Sequence, residues 1–520
     1  MKKEFNVTGV CFPDIHYMVN NAQRLEAVMD MVERGNYFVI NRPRQYGKTT
    51  MLSSLEVELH KTKDYVPIRL NFQGVDSKSF ESDNAFAKMF TNLLVRPLKF
   101  SEPEAFALVK ETLIDVKDME SLSNAITSMV HQLDKKAVLL INEIDSSITF
   151  ESCINFLGML RTKFLERFSP HQFTFHSVVL AGVHDIKSLK YKIRPPQDSK
   201  YLSPWNIATD FKVQMSFSSS EIASMLQEYS VMESVQMDIS LIAERIYYYT
   251  SGYPFLVSKL CKIVTEVLLP LKQEKHWELI DIDKAIQLLL KETNTNFDSL
   301  IKNLENNPDL YRLVYRILIE GEKIPSNPHE PNISIGRFYG IFKLNGHLKI
   351  HNRIYEQCIY DYMITKNIVE ASSGKNYAAH FLLENNQLDM KAILLKFQQL
   401  MKEEYSLKNN DFLEAQGRLI FLSFLTPILN GQGYAFKEVQ TSLEKRLDIV
   451  VTYFQHRYII ELKKWYGQVA HEKGLDQLAD YLDIHGVSTG YLLIFDSRKN
   501  RDWKQSSVKH KGKNIFMVWV

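Results

Sequence analysis

One short stretch of the sequence has the residue types and spacing of a phosphate-binding loop. Gly47, Lys48 and Thr49 follow a turn and begin a helical pattern of apolar residues. In such a loop the glycine lets the backbone approach the phosphates, the lysine reaches the β- and γ-oxygens, and the threonine hydroxyl ligates Mg²⁺. Arg42 replaces the leading glycine of the pattern G-x-x-x-x-G-K-[ST]. The candidate nucleotide-binding residues of this loop are Arg42, Pro43, Arg44, Gln45, Tyr46, Gly47, Lys48, Thr49 and Thr50.

A strand before the loop and a helix after it are needed to hold these residues in place. The apolar run at 37–40 predicts a buried strand, and the apolar spacing after Lys48 predicts an amphipathic helix. The N-terminus of that helix adds free N–H groups and the positive end of its dipole. A chance Gly-Lys-Thr in an ordinary loop is the alternative, and the flanking strand and helix count against it.

A second apolar run, at 136–141, is followed by Asn142, Glu143 and Asp145. Such a run closed by acidic residues is typical of a buried parallel strand that delivers carboxylates to the edge of a sheet. In phosphate-loop enzymes an Asp at the first of these positions holds Mg²⁺ and the following Glu activates water. Asn142 therefore departs from the pattern, whereas Glu143 is a candidate catalytic residue. After the next predicted strand, His184 is a candidate contact for the γ-phosphate, and an ordinary loop histidine is an equal alternative.

Alternating strands and helices up to residue 217 predict an α/β fold with a parallel sheet. From 218 to about 298 the pattern is helical, and Gly252 and Pro254 begin a helix within apolar sequence. Residues 305–365 alternate helical patterns with short β-prone pieces, one of them at 333–339. A role in packing is favoured for this segment over phosphate contacts by its basic residues. Those residues are Arg312, Arg316, Arg337, Lys343, Lys349 and Arg353.

The C-terminal part of the chain has two carboxylates and a lysine in an arrangement suited to metal-assisted phosphodiester hydrolysis. Two β-prone runs meet at a turn near residue 456, which predicts a hairpin. Counting back from the turn places Asp448 beside Glu461, about 5 Å apart and able to share one metal ion. Lys463 projects from the same face as Glu461. The metal polarises the phosphate and lowers the pKa of its water, and the lysine holds or activates that water. An ordinary ion pair on a strand surface is the alternative.

The N-terminal motifs together resemble those of the bacterial AAA-like ATPases of the STAND-related, ASCE P-loop group. They are Arg-Pro-Arg-Gln-x-Gly-Lys-Thr, the strand closing on Asn-Glu-Ile-Asp, Ala-Gly-Val-x-Asp and Gly-Tyr-Pro, preceded by an aromatic segment at 5–18. The resemblance covers residues 1–365 and implies ATP and Mg²⁺ as cofactors, with Gly252 and Pro254 of a helical lid contacting the nucleotide. It also implies a winged-helix-like module after the lid. Asn142, where the family has Asp, puts rapid hydrolysis in doubt but not ATP binding.

The C-terminal region resembles the PD-(D/E)XK nuclease superfamily. Its signature, D-x(n)-E-x-K, is met by Asp448, Glu461 and Lys463, and the expected helix with Gln477 and the expected strand at 490–496 follow in order. Glu414 matches the acid of the family's first helix. The resemblance covers residues 376–520 and implies that these five residues are catalytic. It also implies that Mg²⁺, or Mn²⁺, is held by the three carboxylates.

The length of 520 residues predicts several domains. We expect an ATPase core at 1–217, a helical lid at 218–300, a winged-helix-like coupling module at 301–371 and a nuclease domain at 376–520. With 63 basic and 61 acidic residues, any nucleic-acid-binding surface must be local. The four widely separated cysteines, the absence of a signal-peptide pattern and the lack of an apolar run near the roughly 20 residues that span a bilayer predict a cytoplasmic protein without membrane association.

These features together predict an ATP-binding, nucleotide-regulated, metal-dependent DNA nuclease with slow ATPase activity. The architecture suggests a role in defence against foreign DNA or in mobile-element biology, and oligomerisation is left open. The alternative is a nucleotide-dependent regulatory protein that holds DNA without cutting it. A third reading is a plain ATPase motor, against which Asn142 counts.

Overall fold

The structure is a computed structural model. It describes residues 2–113, 116–182, 205–318, 322–370, 381–383, 387–405, 410–429, 433–438, 447–454, 456–465, 468–484, 486–496, 498 and 502–520. The chain forms two compact units, Met1–Glu292 with Ser334–Ile341, and Thr293–Ile333 with Phe342–Val520. The finer division into four domains stays a prediction, because the expected boundary at 371–376 lies outside the described residues.

The first unit is an α/β fold built on a four-stranded parallel sheet, as predicted. Its strands are β1 (Tyr37–Asn41), β2 (Tyr65–Asn71), β3 (Lys136–Asn142) and β4 (Ser177–Gly182), in the order β1-β4-β3-β2. All of β3 except Lys136 is buried, which explains its continuous apolar sequence. Since the strands are parallel, β1, β3 and β4 end at the same edge of the sheet. The phosphate loop and the polar residues after β3 therefore meet there.

Helices cover this sheet, and four further helices follow in the segment that the sequence analysis predicts to be a lid. The helices of the core are α1 (Ala22–Glu33), α2 (Lys48–Lys61), α3 (Asp83–Ser101), α4 (Pro103–Thr112), α5 (Met119–Gln132) and α6 (Glu151–Glu166). The lid helices are α7 (Ser219–Glu233), α8 (Ile239–Thr250), α9 (Pro254–Ile263) and α10 (Leu279–Lys291). Ser218 and Glu221 form a capping box that fixes the start of α7, and Pro254 occupies the first turn of α9, where a missing N–H costs nothing.

The second unit begins with helices and a two-stranded hairpin. The elements are α11 (Thr295–Glu305), α12 (Pro308–Leu318), α13 (Pro331–Phe338, divided between the units), β5 (Phe342–Asn345), β6 (His347–Ile350) and α14 (Arg353–Glu370). The winged-helix-like character of this segment stays a prediction. The β-prone reading of 333–339 is wrong, because these residues lie mainly in α13. Pro331 begins that helix and the Glu330 carboxylate accepts a hydrogen bond from the Ile333 N–H at 2.7 Å, so the helix start outweighs the β-branched residues.

The rest of the second unit contains two helices, a six-stranded mixed sheet and a connecting helix. They are α15 (Met390–Tyr405), α16 (Asn410–Leu429), β7 (Gly433–Glu438), β8 (Leu447–Tyr453), β9 (His456–Lys464), α17 (Gln468–Ile484), β10 (Thr489–Phe495), β11 (Gln505–His510) and β12 (Lys513–Trp519). The strand order is β11-β12-β10-β9-β8-β7. Strands β9, β10 and β12 are parallel, and β8 and β9 form the predicted antiparallel hairpin.

No helix within the described part of the chain is both long and apolar enough to cross a membrane.

Candidate nucleotide site and candidate metal site

The phosphate loop connects β1 to the N-terminus of α2. Gln45 (φ 55°) and Gly47 (φ 82°) both have left-handed backbone conformations, and the Gly47 carbonyl accepts the N–H of Met51 at 2.9 Å as the helix begins. Glycine is needed at position 47 because side-chain-bearing residues avoid this φ. Loops of this kind at a helix N-terminus turn backbone N–H groups toward an anion.

Lys48 is buried, with 6% of its surface exposed, and its ammonium is held by the loop itself. The Nζ atom donates hydrogen bonds to the carbonyl oxygens of Arg42 and Pro43, both at 2.9 Å. Burial lowers the pKa of Lys48, whereas the negative charges of Glu143 and Asp145 act in the opposite direction. The lysine ammonium thus lies within the candidate phosphate loop.

The residues after β3 lie beside the start of α2. Asn142 is 4% exposed, and its Oδ1 atom accepts a hydrogen bond from the Thr49 hydroxyl at 3.4 Å. Glu143 follows in a left-handed conformation (φ 56°). Asp145 packs on the end of β4, where a Cβ atom on Gly182 would lie 2.8 Å from Asp145 Oδ1. The predicted Mg²⁺-ligating hydroxyl and the residue that replaces the family's Asp are therefore together. His184 lies outside the described residues.

Arg42 has a different set of partners from the rest of the loop. Its guanidinium donates to the carbonyl oxygens of Asn41 (2.9 Å), Phe211 (3.3 Å) and Val213 (2.8 Å) and lies 5.0 Å from the centre of the Phe211 ring. Arg42 therefore anchors the end of β1 to the segment before the lid, which a glycine at this position cannot do.

Two residues that sequence reasoning missed support the loop from outside. The Tyr253 hydroxyl donates to the Arg44 carbonyl at 2.6 Å, and its ring stands edge-on to Tyr46 with centroids 4.7 Å apart. Gly340 (φ 72°) packs so closely that a Cβ atom there would lie 2.9 Å from Pro43 Cβ and Cγ. Tyr253 is the middle residue of the Gly-Tyr-Pro motif, which was a usable signal. Gly340 is nearly 300 residues away, and no sequence pattern indicates it.

Of the two predicted lid residues, Gly252 has a conformational task. Its φ is 71°, and a Cβ atom at this position would lie 1.9 Å from the Phe217 carbonyl oxygen. The Gly252 carbonyl also accepts the Phe217 N–H at 2.8 Å. Gly252 thus joins the lid to the segment before α7.

A cavity of about 350 Å³ lies next to the phosphate loop. Its size falls within the range of small-molecule and cofactor pockets, and most of its wall is apolar, with a few polar groups. The cavity is lined from the loop side by Gln45, Tyr46, Gly47 and Thr50, and from the lid by Pro254. The aromatic N-terminal segment supplies the opposite wall, and its Cys11 N–H donates to the Thr50 hydroxyl at 3.2 Å. This hydrogen bond holds the segment against the start of α2.

In the second unit the hairpin register is the predicted one. Asp448 of β8 lies opposite Glu461 of β9. Glu461 is 2% exposed, and its Oε1 atom is 3.7 Å from Lys463 Nζ. Helix α17, which contains Gln477, passes directly over this lysine, since a Cβ atom on Gly474 would lie 1.8 Å from Lys463 Nζ. Sequence reasoning did not identify Gly474.

For two of the three predicted metal ligands, the structure describes the backbone but not the side chain. Glu414 lies on α16 and Asp448 on β8, but their side chains are not among those described. Among the side chains that are described, no three His, Cys, Asp or Glu residues form a group able to hold a metal ion. Carboxylate oxygens are suitable ligands for Mg²⁺, so the register of Asp448 and Glu461 fits such a site.

A family model described as an AAA-like domain matches residues 14–330. No curated protein matches the sequence. The chain is similar to a solved Walker-type ATPase of Pyrococcus abyssi (10% identity, 68% of this chain and 99% of the other covered, TM-score 0.46). It is also similar to the Aeropyrum pernix ORC2 protein in its ADPNP–ADP complexes (13%, 71% and 98%, 0.38) and to the Thermotoga maritima RuvB Holliday junction branch migration motor (14%, 66% and 95%, 0.33). At these identities and TM-scores, the three structures assign neither an activity nor a ligand to this chain.

Proposed function

Since the chain belongs to the family of AAA-like domains, we propose that its first unit binds ATP with Mg²⁺ and that this binding regulates a metal-dependent nuclease in the second unit. The observation that carries the first half is the position of Lys48. Its buried ammonium is held by the loop at the N-terminus of α2, and the neighbouring Gly47 and Thr50 line a cavity large enough for a nucleoside.

Lys48 donates to the carbonyls of Arg42 and Pro43. When ATP is bound, the phosphate oxygens are better acceptors because they carry charge, and the ammonium turns from the carbonyls to them. Thr49 is placed to ligate Mg²⁺, which would neutralise charge on the β- and γ-phosphates. Asn142 would offer that ion an amide oxygen without a negative charge, so the metal would be held weakly while Glu143 would orient the water. ATP is therefore bound well and hydrolysed slowly.

The test is the stabilisation of the protein by ATP. At a hundredfold excess over its dissociation constant, a ligand that binds only the folded state adds about 2.7 kcal/mol to the free energy of unfolding. Lys48→Ala should abolish the ATP-induced rise in melting temperature. Lys61→Ala is the matched control, because Lys61 belongs to the same helix but is 65% exposed and forms an ion pair with Glu58 on the helix surface. An unchanged rise in the Lys48→Ala protein would reject Lys48 as the phosphate-binding lysine.

The nuclease half of the proposal is supported by the pairing of Asp448 with Glu461 and the position of Lys463 beneath α17. Asp448 and Glu461 would hold a metal ion there, and that ion would supply a water of lowered pKa and polarise the scissile phosphate. Lys463, 3.7 Å from Glu461, is placed to orient that water. Glu414 is the proposed third carboxylate and Gln477 the helix residue at the site.

Incubation of supercoiled plasmid with Mg²⁺ or Mn²⁺, with and without ATP, tests this half. Asp448→Ala or Lys463→Ala should reduce cleavage at least about a hundredfold without loss of folding, since several kcal/mol are withdrawn from the transition state only. Lys509→Ala, an exposed lysine on β11, should cleave normally. Cleavage at the wild-type rate by the Lys463→Ala protein would place the site elsewhere. DNA binding without cleavage by the wild type would favour the regulatory alternative.

A further inference from the structure

Aromatic and cationic side chains gather where the parallel strands of the second unit end. Trp465 follows β9, Asp496 and Arg498 follow β10, and Trp519 closes β12. Because β9, β10 and β12 are parallel, their carboxyl ends lie at one edge of the sheet, the usual place for ligands in open sheets with parallel strands. Lys463, two residues before Trp465, belongs to the same end of β9.

The side chains at this edge are in mutual contact. The rings of Trp465 and Trp519 have centroids 6.3 Å apart, and the His471 ring lies 5.5 Å and 5.7 Å from them. The Lys504 ammonium lies 5.7 Å from the centre of the Trp465 ring and 4.7 Å from that of Trp519. The Arg498 guanidinium is 5.4 Å from Trp465. We call these five residues the indole edge.

Burial and charge divide the indole edge into a fixed base and an accessible face. Trp519 is 4% exposed, whereas Trp465 is half-buried and Lys504 is exposed. Arg498 is held in place by the buried Asp496, with Nη2 to Oδ2 at 2.6 Å, while its own side chain remains 56% exposed. No acidic side chain that the structure describes forms an ion pair with Lys504. Its charge therefore remains available to an anionic partner.

The surroundings of His471 show that the positive charges converge here. Burial lowers the pKa of His471, and the charges of Lys463 and then Lys504 lower it further. Both lysines are therefore close enough to this ring to act on it. Lys463 of the candidate metal site and Lys504 of the indole edge therefore both lie near His471.

We propose that the indole edge binds a single-stranded segment of nucleic acid, with Lys504 and Arg498 on its phosphates and an unpaired base against Trp465. Aromatic side chains beside cations bind single strands in this way, because every base has a π-face that can stack and every phosphodiester link carries a negative charge. A duplex conceals its base faces, so it gains only the phosphate contacts. The proposal deepens the proposed nuclease function and rests on it for the delivery of the strand toward Glu461 and Lys463.

Binding is measured on the full chain in EDTA, so that cleavage plays no part. The probe is a fluorescein-labelled DNA oligonucleotide of about 15 nucleotides, single-stranded or annealed to its complement, followed by fluorescence anisotropy. The single strand should bind more tightly than the duplex. Trp465→Ala should weaken single-strand binding about five- to a hundredfold, the usual range for loss of one base stack. Trp465→Phe should retain most of the affinity.

Lys504→Ala should weaken binding several-fold and lower the slope of log K against log salt by about 0.7, as expected for one phosphate contact on a single strand. Lys509→Ala, on the adjacent strand but away from the indoles, should bind as the wild type does. Lys504 and Lys509 are both exposed, so neither change endangers folding.

Equal affinity of the wild type, Trp465→Ala and Lys504→Ala proteins, a preference for the duplex, or no binding by the wild type would each overturn the proposal. Plasmid cleavage with metal is scored separately. Binding that depends on Trp465 without any cleavage would reject the proposed nuclease activity and retain single-strand binding by the indole edge. Cleavage that is unchanged in the Trp465→Ala and Lys504→Ala proteins would retain the nuclease and reject the role of the indole edge.

Discussion

Gly252 provides a sharp test of how the lid is joined to the nucleotide-binding core. Replacing it with alanine adds one carbon that would lie 1.9 Å from the Phe217 carbonyl oxygen, in a backbone conformation (φ 71°) that alanine avoids. The two backbones must separate by about 1 Å, which costs roughly 1–3 kcal/mol. The hydrogen bond from Phe217 to Gly252 is also weakened.

The left-handed backbone alone costs alanine about 1–2 kcal/mol. With the clash and the hydrogen bond included, Gly252→Ala should lower the free energy of unfolding by about 3–6 kcal/mol. Gly74→Ala is the matched control, because Gly74 has a similar φ of 82° but no atom within 4 Å of the added carbon. The control should show the backbone cost only.

Scanning calorimetry of the full chain measures both variants, with the first-unit transition identified as the one that ATP raises. A loss of 1 kcal/mol lowers the melting temperature of a unit this large by about 2 °C, so we expect a fall of about 6–12 °C for Gly252→Ala and about 2–4 °C for Gly74→Ala. Equal falls would mean that the close packing against Phe217 has no energetic consequence and that Gly252 is required for its backbone angle alone.

Three further predictions concern the first unit. Asn142→Asp should raise ATP turnover because it adds a negative charge beside Thr49, whereas Glu143→Gln should abolish the slow turnover of the wild type. Phosphate release by the three proteins measures this, and turnover of many ATP per second by the wild type would refute slow hydrolysis. Lys163 is 5% exposed, and burial lowers its pKa to about 8 from 10.5. Below pH 8 the buried charge therefore lowers the free energy of unfolding, and this cost disappears as the pH rises from 8 to 10.5. Lys163→Met should therefore raise the free energy of unfolding by roughly 2 kcal/mol at pH 7 and by much less at pH 10, and a gain independent of pH would contradict this. Tyr253→Phe removes the hydrogen bond to the Arg44 carbonyl and should weaken ATP binding, measured by calorimetry, about fivefold, as loss of about 1 kcal/mol implies; unchanged affinity would show that the lid does not position the loop.

The parts of the fold that the sequence predicted well depend on short-range patterns. The hairpin register that pairs Asp448 with Glu461 follows from the turn position and the two-residue period of strands, so counting from residue 456 was sufficient. The phosphate loop was found for the same reason, since strand, turn and helix start lie within about fifteen residues.

The parts that it did not predict depend on long-range packing. Nothing near Arg42 in the sequence indicates that its guanidinium binds the carbonyls of Phe211 and Val213. The contact of Tyr253 with Arg44 joins residues more than 200 positions apart. At 333–339 the sequence suggested a β-prone piece, but Pro331 and the Glu330 carboxylate begin a helix there.

The packing of Gly340 on Pro43 gives the chain a short mechanical linkage. Pro43 is one of the two loop residues whose carbonyls hold Lys48, so a change in the lysine's partners alters the very residue on which Gly340 rests. Only Ile341 separates Gly340 from Phe342, where β5 of the second unit begins. Displacement of the loop would thus be transmitted through the covalent backbone over two residues.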